Sequence, residues 1–84
     1  MKNSNKQIID ELTKIVKEVI GKDYIVLTST TTANEVPGWD SLSHVQILYK
    51  CELKWGIRLS LKELSNLKNV GDLVDIIVKF LDNK

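Results

Sequence analysis

The chain has little of what most active sites are built from. Its 84 residues include one cysteine, one histidine, one methionine and one proline, and only 6% are aromatic. The lone Cys51 forms no internal disulfide and fits a reducing compartment. One histidine and one cysteine supply no metal-ligand set, and no Gly-rich phosphate loop of the Walker or Rossmann type occurs. Neither sign of charge is in excess. Twelve Lys and Arg stand against 11 Asp and Glu, for a net charge of +1, which removes the bulk electrostatic case for nucleic acid or an anionic membrane. No apolar run approaches the length of a membrane span. The start, Met1-Lys2-Asn3-Ser4-Asn5-Lys6, leads into an amphipathic pattern and not the continuous apolar stretch of a signal peptide. The cytoplasm is therefore the expected location. Without repeats, low-complexity tracts or a dividing linker, residues 1–84 are read as a single domain, with a modest core and marginal stability.

What is present is helical periodicity. Hydrophobic residues make up 43% of the chain. Over residues 4–20, Ile8, Leu12, Ile15, Val16 and Val19 recur at helical spacing. Ser4 with Gln7 matches a capping box at the start, and Gly21 supplies a left-handed stop. Residues 21–40 then form a connection without clear periodicity, of a length uncommon in a compact domain unless functional or disordered. Within it, Tyr24-Ile25-Val26-Leu27 has strand propensity but no partner strand, so these residues are read as anchors pinning the loop to the helices. Thr28-Ser29-Thr30-Thr31-Thr32 is read as polar and mobile, and Pro37-Gly38 as a turn.

A second helix is expected over residues 41–55 with Asp40 as its N-cap. Its apolar residues fall into two sets. Ile47, Leu48, Cys51 and Trp55 form one, while Leu42, Val45, Tyr49 and Leu53 lie on another side. An outer helix of a small bundle needs one apolar face for the core, which leaves the second set for a partner or a bound chain. Deep burial of the whole helix is the bland alternative. Farther on, Ser60-Leu61-Lys62-Glu63 reads as a capping box opening a short helix to about Asn66. Asn69 caps the last helix, whose buried side is Val70, Leu73, Val74, Ile77, Phe80 and Leu81. Asp72 and Asp75 suit the dipole at its start, and Gly71 costs little there. The expected fold is all-α, with three substantial helices, one short one and a long loop between the first two.

The chain is organised around residues 38–48, where the long loop gives way to the second helix. Ser41 stands at the positive end of that helix, where anions are welcome. Asp40, Ser41 and His44 invite comparison with a catalytic triad, but all three crowd the first helical turn and Asp40 is engaged in capping. A triad needs the acid to orient the far imidazole nitrogen while the near one meets the serine. Catalysis is therefore not expected, and His44 is read as a surface or flanking side chain. Cys51 is read as a small core residue. Trp39 either anchors the loop or contacts whatever attaches at Ser41.

Taken together, Gly38-Trp39-Asp40-Ser41-Leu42, Val45-Gln46-Ile47-Leu48, Trp55-Gly56-Ile57-Arg58-Leu59 and Asn69-Val70-Gly71-Asp72-Leu73 resemble the acyl carrier protein family over about Lys6 to Leu81. The resemblance implies a four-helix bundle and a non-enzymatic carrier. Ser41 would bear 4′-phosphopantetheine, donated by coenzyme A through a phosphopantetheinyl transferase. The arm would hold acyl or aminoacyl groups as thioesters for a loading enzyme and a downstream synthase or transferase. By the same likeness, Asp40 fixes the serine at the helix start and helps the transferase dock. Leu42, Val45 and Tyr49, with Trp39 beside them, form the partner surface, while Ile47, Leu48 and Trp55 face the core. One departure stands out. Residues 41–55 carry Lys50 and Lys54 against Glu52 alone, whereas carriers of fatty-acid synthesis usually have a strongly acidic second helix. A dedicated carrier in a specialised pathway is expected, and nothing demands more than a monomer. The rival reading is a helical interaction module that keeps the carrier fold without a prosthetic group.

Overall fold

The computed structural model describes residues 4–60 and 67–82. Among the described residues there are three α-helices, α1 (Asn5–Ile20), α2 (Ser41–Trp55) and α3 (Val70–Asp82), and one 3-10 turn at Ala33–Glu35, with no strand. The short helix expected between Ser60 and Asn66 falls on residues 61–66, outside the described residues.

Helix α1 starts where the Ser4 hydroxyl accepts the Gln7 amide at 3.1 Å. It ends at Gly21, whose φ of 79° lets its N–H return to the Lys17 carbonyl. Ile8, Leu12 and Val16 on its inner stripe are buried, and Ile15 and Val19 flank them at half exposure. This stripe packs against both α2 and α3. From α2 come Ile47, Leu48 and Cys51, and from α3 Val70, Leu73, Val74 and Ile77, all buried in one cluster. Phe80 and Leu81, expected on the buried side, are only half-buried at the C-terminal end of that face.

The long loop is built differently from expectation. Only Ile25 and Leu27 anchor it in the core, while Tyr24 and Val26 point to solvent. The four-residue run alternates as extended chain does, so one face of it reaches the core and the other cannot. The threonine run expected to be mobile is hydrogen-bonded instead. The Thr28 amide donates to the Thr31 hydroxyl at 2.9 Å, and Thr32 and Glu35 close a capping box on the 3-10 turn.

This run also caps α3. The first amides of a helix have no acceptor within it, and here Val70 and Gly71 donate to the carbonyls of Thr31 and Ser29, each at 2.7 Å. Asn69 Oδ1 accepts the Asp72 amide and the Asp72 carboxylate accepts the Lys68 amide, both at 2.9 Å. Gly71 is required by this closeness. A Cβ there would lie 2.7 Å from the Ser29 carbonyl oxygen, so its place near the helix start is a steric need and not a tolerated cost.

Beyond α2, Gly56 takes φ 63°, and the Glu52 carboxylate accepts the Leu59 amide at 2.8 Å. That bond holds the returning chain so that Ile57 and Leu59 enter the core.

Candidate functional site

The site forms where the loop turns into α2. Val36 through Trp39 make a tight turn closed by the Trp39 amide on the Val36 carbonyl at 3.1 Å. Pro37 suits the first central position and Gly38 takes φ 91° at the second. Gly38 also lies against Ile20 of α1, where a Cβ would sit 2.8 Å from the Ile20 side chain. The turn thus delivers Asp40 and Ser41 to a fixed place against α1.

Asp40 is the N-cap, as expected, with Oδ1 accepting the Ser43 amide at 2.8 Å. That amide, and then the Ser43 hydroxyl, holds the Asp40 carboxyl below its ordinary range. Ser41 follows as the first helical residue and is exposed. Its hydroxyl engages no other described residue, and the positive end of α2 lies beneath it. An anion joined to the Ser41 oxygen would sit over amides that the helix leaves unpaired.

Of the two places expected for His44, surface or flanking, the structure gives the second, since it lines the groove beside Ser41. It is half-buried, and its Nδ1 accepts the indole N–H of Trp39 at 3.0 Å. Burial lowers its pKa from the ordinary 6.5. With that nitrogen engaged by Trp39 and Asp40 engaged by Ser43, the acid–imidazole–serine relay of a triad does not assemble. Trp39 itself packs at half exposure against the core and borders the groove beside Ser41. The Trp39–His44 pair was missed from sequence; its trace there is a tryptophan and a histidine either side of a helix cap, a weak signal.

The two apolar sets on α2 separate as the spacing requires. Ile47, Leu48 and Cys51 are buried and Trp55 is half-buried, whereas Leu42, Val45, Tyr49 and Leu53 are 68%, 63%, 59% and 66% exposed. Four large apolar side chains in a row along one helix are more than scattered surface hydrophobics. The charges of α2 point elsewhere: Lys50 pairs with Glu18 at 2.6 Å and Lys54 with Glu11 at 2.7 Å, both across to α1. Hydrogen bonds from Lys54 and Lys50 hold the carboxyls of Glu11 and Glu18 below their usual range.

Comparison with known proteins identifies this arrangement. The acyl carrier protein of Rhodococcus erythropolis is 35% identical over 79 residues, covering 94% of this chain and 87% of its own. This chain belongs to the acyl carrier protein family. The meromycolate extension acyl carrier protein of Mycolicibacterium aurum is 34% identical over 79 residues, with 94% and 81% covered. Among solved structures, the holo acyl carrier protein of Geobacter metallireducens superposes with a TM-score of 0.84 at 45% identity, covering 89% of this chain and 86% of that one. The acyl carrier protein of Thermotoga maritima gives 0.83 at 29% identity, covering 94% and 92%. No protein-family profile matches the chain. Acyl carrier proteins are carriers and not enzymes, which agrees with the unassembled triad. The all-helical fold is the family's, and its members generally bear phosphopantetheine.

Proposed function

We propose that residues 1–84 form a single carrier domain that holds acyl or aminoacyl groups as thioesters on a 4′-phosphopantetheine arm at Ser41. The observation that carries this reading is the exposed Ser41 hydroxyl at the start of α2, bonded to no other described residue and held in place by the Asp40 cap. The residues fit the group. A phosphodiester on the serine oxygen would lie over the helix amides, and the open groove lined by Asn34, Asp40, Ser41 and Val45 leaves it room. When bound, the arm supplies a terminal thiol to which cargo is attached. The chain's own part is mechanical: Asp40 holds the serine at the helix start, and α2 presents it beside an apolar face.

The partners on this reading are a phosphopantetheinyl transferase, a loading enzyme, and a downstream synthase or transferase. Their docking surface is Leu42, Val45 and Tyr49 with the edge of Trp39, and Asp40 helps the transferase dock. The absence of an acidic α2 favours a dedicated carrier of a specialised pathway, working in the cytoplasm as a monomer. Intact mass after incubation with coenzyme A and a broad-specificity phosphopantetheinyl transferase tests the attachment. The expected result is a gain of one phosphopantetheine unit that is lost in Ser41→Ala, while the variant keeps its helical circular dichroism. A folded wild type that gains nothing with either this transferase or the host's own would leave the interaction module.

A further inference from the structure

Two hollows meet at the Trp39–His44 pair. The first is the open groove beside Ser41. The second is a cavity of about 60 Å³ whose far wall is Leu67, Val70 and Leu73. Ala33, Trp39 and His44 line both, so the indole and imidazole border each hollow. The two rings are tilted by 35°, with centroids 6.1 Å apart, and are joined by the 3.0 Å bond from Nε1–H to Nδ1.

This bond can break without disturbing the backbone. The Trp39 amide is held by the Val36 carbonyl and the His44 amide by the Asp40 carbonyl, so turn and helix persist if the side chains part. The bond also requires a neutral imidazole. A protonated ring has a hydrogen on Nδ1 and nothing left to accept the indole N–H. Among the described residues lining the two hollows, the charged groups are Asp40 at the α2 cap, engaged by Ser43, and Lys68 ahead of α3. The 3-10 turn contributes Ala33 and Asn34, neither of them charged, and α1 contributes no lining residue.

We propose that Trp39 and His44 form a latch that shuts a group tethered at Ser41 out of the cavity against α3. The proposal rests on the reading of Ser41 as the attachment point. With the latch closed the cavity is well below the roughly 150 Å³ that admits a benzene ring, and an acyl chain stays in the groove and in solvent. Opened, groove and cavity become one channel with Val70 and Leu73 on its apolar wall. The closed carrier is therefore suited to short or polar acyl groups, which lose least by remaining wet.

Two measurements test this and keep the latch separate from the attachment. In the unloaded, 15N-labelled protein, the Trp39 indole N–H is followed by NMR between about pH 5 and 8, the range in which histidine titrates, with Trp39→Phe assigning the resonance. The latch predicts one titration that moves it toward the unbonded position as the pH falls, and His44→Ala holding it there throughout. A wild-type resonance indifferent to pH overturns the latch whatever happens at Ser41. The second measurement loads the protein from acetyl- and octanoyl-coenzyme A, verifies loading by intact mass, and compares thioester cleavage by hydroxylamine. The wild type should release both at similar rates. Trp39→Phe and His44→Ala, each checked for native circular dichroism, should release octanoyl several-fold more slowly than acetyl. Octanoyl already protected in the wild type, or unprotected in both variants, overturns the proposal. A failure to load overturns the attachment reading, and the indole titration still decides the latch.

Discussion

Cys51 and His44 show how burial alone sets the chemistry of a side chain here. Cys51 is fully buried between α2 and the core, and desolvation, aided by the neighbouring Glu52 charge, pushes its thiol up to about 12. The reactive thiolate is then scarce at neutral pH. Iodoacetamide should leave the native protein unlabelled over hours and label it promptly in denaturing urea; rapid native labelling, read by mass, would contradict the burial. His44 is driven the other way, because desolvation disfavours its charged form. Its folded pKa lies below the unfolded value, so its contribution to stability is complete above the ordinary 6.5 and declines as the pH drops through it. The carboxyls of Asp40, Glu11 and Glu18 are themselves lowered, so their stabilisation fades only in the more acidic carboxylate range. Urea midpoints measured on either side of about pH 6.5 should fall toward acid in the wild type. In His44→Gln the decline should be smaller.

At the scale of elements, each helix start is secured by short-range bonds, but α3 also depends on the loop. The carbonyls of Ser29 and Thr31 take two of its first amides, and Gly71 permits that approach. A methyl group at this position must displace backbone and not a yielding side chain. Gly71→Ala should therefore cost about 1–3 kcal/mol, the usual range for forcing volume into a packed site, even though alanine is the better helix former. Chemical denaturation of the two proteins measures it, and a variant as stable as the wild type would show that the loop does not cap α3 in solution. Against a total stability of about 5–15 kcal/mol for a domain of ordinary kind, such a loss is large.

For the whole molecule, the placement of charge decides how it meets partners. Lys50 and Lys54 are turned to Glu18 and Glu11 on α1, and Glu52 is tied to the Leu59 amide. The outward strip of Leu42, Val45, Tyr49 and Leu53 carries no charge of its own. Electrostatic steering falls steeply with salt, whereas apolar contact does not. On the proposed attachment at Ser41, the transferase reaction should therefore keep its kcat/KM within about three-fold as salt rises from low to several times physiological. A fall of an order of magnitude would mean that charge, not the apolar strip, guides the encounter.

What the sequence by itself determined is whatever depends on neighbours three or four residues apart. The Ser4, Asp40 and Asn69 caps, the Gly21 stop, the buried stripe of α1 and the two-sided α2 all follow from such spacings, and so does an exposed Ser41 at a helix start. Tertiary structure alone decided contacts between distant segments. Lys50 meets Glu18 from 32 residues away, and Ser29 and Thr31 cap a helix that begins only at Val70. The packing of one loop face left Tyr24 and Val26 outside while Ile25 and Leu27 went in. Trp39 and His44 are close in sequence, yet they pair because a glycine turn against Ile20 swings the indole over the first turn of α2. The reason is physical: local bonds are written in backbone geometry and spacing, while long-range ones depend on which surfaces the folded chain brings within a few ångströms.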